Sequence, residues 1–206
     1  RTPMAIVRTQ AEVTLRRVEK EENRQALREM IRAVDESSRT AGQLLDHAMV
    51  SVRTDNLARQ SIQLDELIVD VANRLHPISE LRDLEIVAKK LERTKIQGDP
   101  ILVQNAIQNV LDNAVKYTDA DTEITVQLDH SEGFAHIHVR DEGSGFDATE
   151  IDRLLQRFER GRNADRIVGS GLGLTIVDDI MRAHRGHITL TNNPGAGACV
   201  TLSFPF

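Results

Sequence analysis

Apolar residues in the first quarter of the chain recur in alternating steps of four and three, the spacing of a helix that buries one stripe. The stripe is clearest at Leu27, Ile31, Val34, Ser38, Ala41, Leu45, Ala48 and Val52. An earlier stripe of the same kind comprises Met4, Val7, Ala11, Leu15 and Val18. A polar run over residues 19–23 separates the two stripes, so the pattern predicts two helices joined by a hairpin turn.

Two helices that are each apolar on a narrow stripe cannot enclose a core by themselves. We therefore expect two copies of the hairpin to pair as a four-helix bundle, which makes the chain a homodimer through its N-terminal helices. The alternative is that the hairpin packs on the C-terminal part of its own chain.

A different pattern begins after residue 56. Apolar positions at helical spacing predict helices over residues 64–81, 99–117 and 171–184, and a further helix near residue 147. Short apolar or alternating segments predict strands at residues 84–88, 94–97, 124–128, 135–139, 187–191 and 199–204. This order predicts an α+β fold, in which a mixed, largely antiparallel sheet is layered with helices as an α/β sandwich. We place the domain boundary between residues 57 and 58, giving domains 1–57 and 58–206.

Composition narrows the class of protein. Hydrophobic residues make up 40% and charged residues 28% of the 206 residues, close to the average of a folded domain in water. The net charge of −6 and the 3% aromatic content argue against a nucleic-acid partner, which needs a basic surface and stacking rings. The single cysteine, Cys199, excludes an internal disulfide. No apolar run is long enough to span a bilayer, so we expect no membrane contact in this segment.

Charge is distributed unevenly along the chain. Residues 1–57 contain 10 Lys and Arg against 9 Asp and Glu, whereas the remainder contains 16 against 23. The acidic character therefore belongs to the predicted α+β domain.

The predicted helix 99–117 carries an unusual polar stripe. Asparagines at 105, 109 and 113 are spaced by four, so their amides lie on one face, and Lys116 and Tyr117 follow at the end of the helix. Neutral oxygen ligands followed by a lysine suit a hydrated Mg²⁺ that bridges phosphate groups. Taken alone, the stripe is better explained as a polar face in contact with solvent.

Two glycine-containing segments are candidates for ligand contact. Asp141-Glu142-Gly143-Ser144-Gly145 follows a predicted strand, where a carboxylate suits the exocyclic amine of a base such as adenine and the glycines admit a flat ligand. Gly169-Ser170-Gly171-Leu172-Gly173-Leu174 leads into a helix, whose first amides favour phosphate. An arginine-bearing loop over residues 157–166 lies between them. For the segment that begins at Asp141, the simpler alternative is a plain turn. For the arginine-bearing segment, it is a loop in contact with solvent.

These elements occur in a fixed order over about 100 residues and end in Gly195-Ala196-Gly197-Ala198. In this order they resemble the ATP-binding domain of bacterial sensor histidine kinases, which has a Bergerat-type fold. The opening Arg1-Thr2-Pro3-Met4-Ala5 is similar to the end of the family's H-box, H-E-x-R-T-P-x-A, whose histidine is the phosphoacceptor. The resemblance puts that histidine three residues before Arg1, so we expect this chain to be a fragment that lacks it.

The resemblance implies roles for the asparagine helix and for the loop after residue 140. Asn109 and Asn113 would hold Mg²⁺ on ATP. Lys116 would contact phosphate, and Tyr117 would pack near the nucleotide. Asp141 would accept the adenine amine, and room for the base would come from Gly143 and Gly145.

The resemblance also implies a lid over the phosphates. Its phosphate-binding positions would be Gly169, Gly171, Leu172 and Gly173. Arg160 and Arg162 would steady the γ-phosphate, while Phe158 would pack the lid.

Position 109 distinguishes sensor kinases from hydrolytic members of the fold such as gyrase, which carry an acid there. The amide of Asn109 cannot act as a general base at neutral pH. The resemblance therefore implies a protein-histidine kinase: it holds ATP until an imidazole attacks the γ-phosphoryl group, which then passes to an aspartate in the receiver domain of a response regulator. Thr2, one turn after the missing histidine, would assist dephosphorylation of that regulator.

By the same resemblance the chain is a cytoplasmic domain of an inner-membrane sensor protein. One alternative is a degenerate kinase that binds nucleotide without phosphoryl transfer. Another is a serine kinase acting on an anti-sigma-factor antagonist, which shares the ATP fold but lacks the H-box hairpin. None of the seven histidines has the H-box context, so we expect all of them to be structural.

Overall fold

The computed structural model describes residues 2–16, 18, 20–55, 57–156, 159 and 171–206. Within its helices, the side chains of residues 2–4, 22, 36, 38–40, 43–47, 49, 51, 55 and 152 are not described. The chain forms two compact units, Arg1–Ala48 and Met49–Phe206.

The first unit contains two helices, α1 (Thr2–Leu15) and α2 (Glu21–Asp55), and α2 continues into the second unit. Arg8 joins the two helices within this unit, because its Nε lies 3.1 Å from Glu12 and 3.3 Å from Asp35. Ala11 is buried, but several apolar side chains of this unit are exposed: Ile6, Val7, Val13 and Met30. The two predicted N-terminal helices are therefore confirmed, and the hairpin leaves apolar surface uncovered.

The second unit contains a five-stranded sheet in the order β2-β4-β5-β7-β6 and a two-stranded sheet of β1 and β3. The strands are β1 (Gln60–Gln63), β2 (Leu84–Leu91), β3 (Lys95–Gly98), β4 (Thr122–Ser131), β5 (Phe134–Arg140), β6 (His187–Asn192) and β7 (Ala198–Pro205). Among the strands of the described residues, β2 and β4 pair in parallel and the other pairs are antiparallel. The remaining elements are α3 (Leu64–Glu80), α4 (Pro100–Tyr117), a 3-10 turn at Ile151–Arg153 and α5 (Gly173–Ala183).

The core lies between the helices and one face of the larger sheet. Alternate residues of β4 and β5 are buried, as strand geometry requires when one face is covered. The side chains that fill the layer include Ile68, Leu102, Ile107, Leu111, Ile124, Ile137, Ile180, Leu202 and Phe204. Each fully buried side chain of this size contributes about 1.5–3 kcal/mol, so this layer holds α4 and α5 firmly on the sheet. The predicted α+β fold with a mostly antiparallel sheet is confirmed.

Two details differ from the sequence prediction. The segment near residue 147 forms only the 3-10 turn, because Asp147 accepts hydrogen bonds from the amide and hydroxyl of Thr149 and so stabilises a turn. The strand β1 was not predicted, since only Ile62 in it is apolar and buried; that residue pairs with Ile96 of β3.

Candidate active site

The carboxylate of Asp141 lies just beyond β5, where the chain leaves the sheet. The amide of Asp141 donates to the carbonyl of Ala198 at 3.0 Å, so the pairing of β5 with β7 extends to this residue. Oδ1 of Asp141 accepts from the amides of Ala198 at 3.0 Å and Gly143 at 2.9 Å. Because both bonds go to Oδ1, Oδ2 is the oxygen that this carboxylate offers to a ligand.

Asp141 is 8% exposed, and this burial raises the pKa of its carboxyl group above the ordinary value of 3.8. Hydrogen bonds from the amides of Ala198 and Gly143 oppose the shift in its pKa. A partly desolvated carboxylate gains free energy from any donor that replaces its lost water. Asp141 is therefore suited to accept a hydrogen bond from a ligand amine.

Two glycines allow neighbouring segments to contact the loop after β5. A Cβ on Gly143 would lie 2.3 Å from the carbonyl oxygen of Tyr117, the last residue of α4. Gly197 has a φ of +91°, and a Cβ there would lie 1.9 Å from the carbonyl oxygen of Asp141. The loop therefore lies between the end of α4 and the turn before β7, and glycine is required on both sides.

Asn192 and Asn193, which the sequence analysis did not single out, bind this loop from the end of β6 and the turn that follows it. Asn192 donates to the carbonyl of Phe146 at 2.8 Å and accepts from its amide at 2.7 Å. Nδ2 of Asn193 donates to the carbonyls of Asp141 at 2.8 Å and Ala198 at 3.1 Å. In the sequence, the segment Asn-Asn-Pro-Gly predicts a turn, but it does not indicate which loop the side-chain amides of its two asparagines contact.

Asn109 and Asn113 of α4 lie beside the first residue of α5. Nδ2 of Asn109 donates to the carbonyl of Asn105 at 2.9 Å, which directs Oδ1 away from its own helix. A Cβ on Gly173 would lie 3.3 Å from Oδ1 of Asn109 and 3.8 Å from Oδ1 of Asn113. Nδ2 of Asn113 would lie slightly nearer, at 3.7 Å, so the side-chain amides of both asparagines face the start of α5 across a narrow gap.

The start of α5 has the features of an anion site. Its first amides have no acceptor within the helix, and the N-cap residue Leu172 has no side-chain group that can cap them. The side chain of Leu172 is buried. Gly171, with a φ of +70°, turns the chain into the helix. Amides at a helix N-terminus attract negative charge, so this end suits phosphate groups.

The last two turns of α4 carry the charged side chains of this helix. Lys116 is half-buried, and Tyr117 is half-buried at the C-terminal end of the helix. Burial raises the pKa of Asp112, and the positive charge of Lys116 opposes this shift in its pKa. Lys116 is thus the cation that α4 supplies close to its amide stripe.

Three predicted site residues, Arg160, Arg162 and Gly169, lie outside the described residues, and so does Phe158. The backbone of Thr2 begins α1, but its side chain is not described. Gly145 lies in the loop after β5 with a φ of +69°. The ligand roles of all these residues stay predictions.

The donor set at the gap fits Mg²⁺ better than a softer metal. Mg²⁺ prefers oxygen ligands and keeps several waters, and the amide oxygens of Asn109 and Asn113 are neutral oxygen donors. Over the part of the chain that the structure describes, no three or more His, Cys, Asp or Glu side chains are grouped to hold a metal.

Residues 98–206, just over half of the chain, match the family described as histidine kinase-, DNA gyrase B- and HSP90-like ATPases. The chain belongs to this family. The matched segment contains α4 with its asparagines, the loop with Asp141, and α5.

Its relatives within the family are sensor histidine kinases. The phosphate regulon sensor protein PhoR of Pseudomonas aeruginosa is 28% identical over 99% of this chain and 47% of its own length. The mycobacterial sensor histidine kinase MprB is 26% identical with a TM-score of 0.65, covering 72% of this chain and 97% of that one. Full-length ShkA in complex with AMPPNP has a TM-score of 0.75 at 23% identity, over 100% of this chain and 43% of that one. The predicted resemblance is confirmed: the chain contains the ATPase domain found in two-component sensor kinases.

The chain spans about half, or less, of the length of the curated relatives it matches. None of the helices in the described ranges combines the length and the apolar character needed to cross a membrane.

Proposed function

We propose that this chain is the catalytic core of a protein-histidine kinase that binds Mg·ATP and transfers the γ-phosphoryl group to a histidine. The observation that carries the proposal is the gap between α4 and α5, where the side-chain amides of Asn109 and Asn113 face the N-terminus of a helix. The loop with Asp141 adds a carboxylate oxygen for the adenine amine.

Different residues around the gap bind different parts of Mg·ATP. Oδ2 of Asp141 accepts the adenine amine, and the first amides of α5 bind phosphate oxygens. Asn109 and Asn113 hold the metal, and Lys116 contacts phosphate. When bound, Mg²⁺ neutralises charge on the triphosphate. Arg160, Arg162, Gly169 and Phe158 complete the site as parts of a lid.

Asn109 favours phosphoryl transfer over hydrolysis. Its amide cannot take a proton from water, so the site lacks the general base that a hydrolytic acid at this position provides. The nucleophile is instead an imidazole nitrogen, which forms a bond to the γ-phosphorus while the bond to the oxygen of ADP breaks and the imidazole proton is released to solvent. Positioning and charge neutralisation supply the catalysis.

In this proposal residues 1–57 form the dimerisation and phosphotransfer domain, and residues 58–206 form the catalytic domain. The exposed apolar side chains of the first unit support dimerisation through the N-terminal helices. The acceptor histidine precedes Arg1 by three residues, and the phosphoryl group passes from it to an aspartate of a response regulator. Thr2 assists hydrolysis of the phosphoryl group from that regulator by water, which releases inorganic phosphate. The parent protein is an inner-membrane sensor with this chain on its cytoplasmic side.

The test is phosphorylation of a longer chain that includes the residues before Arg1. After incubation with radiolabelled Mg·ATP, we expect acid-labile, base-stable phosphate on the protein. Asn113→Ala is expected to remove the label, whereas Asn73→Ala, an exposed asparagine on α3, is expected to retain it. Release of free phosphate without protein labelling would contradict the proposal. Nucleotide binding with neither product would favour the degenerate, regulatory alternative.

A further inference from the structure

Asp99 lies at the N-terminal end of α4, and it connects this end to the C-terminal ends of α2 and α5. Asn109 and Asn113 lie further along α4. Nε and Nη2 of Arg53, in the last turn of α2, donate to Oδ2 of Asp99 at 3.2 and 2.9 Å. Oδ1 accepts from the amides of Ile101 at 3.0 Å and Leu102 at 3.3 Å, so the same carboxylate caps α4. The amide of Asp99 donates to Nε2 of His184 at 3.0 Å.

His184 connects this point to α5. It is the C-cap residue of α5, and its Nδ1 lies 2.8 Å from the carbonyl oxygen of Ile180, which requires the proton on Nδ1 and leaves Nε2 as the acceptor for Asp99. The ring packs against Gly98, where a Cβ would lie only 2.6 Å from Cδ2 of His184. The link between the two helices is therefore close and fixed in direction.

The carboxylate of Asp99 is buried, whereas the side chain of Arg53 is partly exposed. The side chain of Asp99 is 1% exposed and that of Arg53 is 33% exposed. A fork of donors on a buried carboxylate fixes geometry as well as charge, because a guanidinium binds both oxygens in one plane. Loss of Arg53 would leave the Asp99 carboxylate with only the two amides of the helix start among its described partners.

α4 and α5 run in opposite directions between this link and the nucleotide gap. Asp99 and Asn109 are ten residues apart on α4, and His184 and Gly173 are eleven apart on α5, so both spacings are about 15–17 Å at the rise of a helix. The two helices are thus joined at one end by Asp99 and His184 and face each other at the other end across the gap. We therefore expect a change in how the helices are held at the link to alter the spacing of their side chains at the gap.

We infer that Arg53 is a positioning residue for the metal-nucleotide site: through Asp99 it sets the register of α4 against α5 and hence the spacing of Asn109 from Gly173. The inference rests on the proposed nucleotide site. It makes metal-dependent binding sensitive to the last turn of α2, although Arg53 itself contacts neither the metal nor the nucleotide.

The test compares the binding of Mg·ADP and of metal-free ADP by calorimetry on the 206-residue chain. Arg53→Gln is expected to weaken Mg·ADP binding by about five- to tenfold, the range of a modest coupling between sites, and metal-free ADP binding by less than about twofold. Arg53→Lys keeps the charge but loses the fork, so an intermediate loss is expected. The matched control is Arg182→Gln, which removes an exposed arginine from the last turn of α5.

The outcomes separate the inference from the proposed function. A wild-type chain that binds no Mg·ADP would overturn both. A wild-type chain that binds, together with an Arg53→Gln variant of unchanged affinity or with equal losses for both ligands, would overturn the inference alone. Circular dichroism at the titration temperature checks that each variant is folded. If Arg53→Gln does not fold, the test uses Arg53→Lys and compares its loss of Mg·ADP affinity with its loss of metal-free ADP affinity.

Discussion

Oδ1 of Asn109 lies 3.3 Å from the position that a Cβ of Gly173 would occupy. Gly173 is the first residue of α5, and an ordinary side chain there would push against the amide oxygen that we assign to the metal. The absence of a Cβ thus sets how closely the two helices approach at the nucleotide.

Gly173→Ala is therefore expected to separate binding from stability. Alanine in a helix is more stable than glycine by about 0.5–1 kcal/mol, so the free energy of unfolding should stay equal or rise. Mg·ADP affinity should fall about fivefold, or roughly 1 kcal/mol, because Asn109 must shift. Urea denaturation and calorimetry measure the two effects. Gly42→Ala in α2, where a Cβ meets nothing within 4 Å, is the control and should leave affinity unchanged.

Asp141→Asn should weaken adenine binding without weakening the fold. The side-chain amide oxygen of the variant can still accept hydrogen bonds from the amides of Gly143 and Ala198. Burial disfavours the charged form of the Asp141 carboxyl group and so raises its pKa, and a neutral amide removes this desolvation cost. The lost charged acceptor is worth about 1.5–3 kcal/mol, or about 10- to 100-fold in Mg·ADP affinity. Glu142→Gln, which alters the exposed neighbour, should change neither property. A loss of stability as large as the loss of binding would argue for a structural role of Asp141.

Asn192→Ala should loosen the loop after β5. It removes both hydrogen bonds to the backbone of Phe146, and because the site is exposed to water we expect a loss of about 0.5–1.5 kcal/mol in the free energy of unfolding. Urea denaturation measures it, with Thr189→Ala on the same strand as control. An unchanged free energy would mean that the backbone alone holds the loop.

Folding stability should fall in mild acid because of His184. Burial lowers the pKa of His184 below its ordinary value of 6.5; the Ile180 carbonyl and the charge of Asp99 oppose the shift in its pKa, and Arg59 adds to it. The unfolded chain thus binds this proton more readily, so the stabilising contribution is complete above about pH 6.5 and is lost as the pH falls toward the folded-state pKa.

Urea denaturation of wild type and His184→Gln between about pH 7 and pH 5 measures this contribution, and the variant should have the shallower slope. Some slope should remain, because burial also lowers the pKa of His138, with Asp129 opposing. Equal slopes in the two proteins would show that His184 does not titrate differently on folding.

The fold and most of the site follow from local sequence signals. The Asp99-Pro100 start of α4 and the alternation in β4 and β5 fixed those elements, because caps and burial patterns act over a few residues. The spacing of the asparagines by four likewise predicted that Asn109 and Asn113 lie on one face of α4. Order along the chain then identified the family.

Contacts between distant segments could not be predicted in the same way. Asn192 and Asn193 bind a loop about 50 residues away, and Arg53 binds a carboxylate 46 residues away. Each is an ordinary polar residue in its local sequence, and its partner is defined only once the strands have paired. His184 was interpreted as structural, and no local pattern indicated that its ring accepts a hydrogen bond from Asp99.

β7 lies between β5 and β6, although it follows every other strand in the chain. A nascent polypeptide that ends before residue 198 leaves β5 with one bare edge and Asp141 without its Ala198 partner. Until β7 emerges from the ribosome, β5 and β6 would thus each have an unpaired edge, which exposes these intermediates to aggregation and to chaperones.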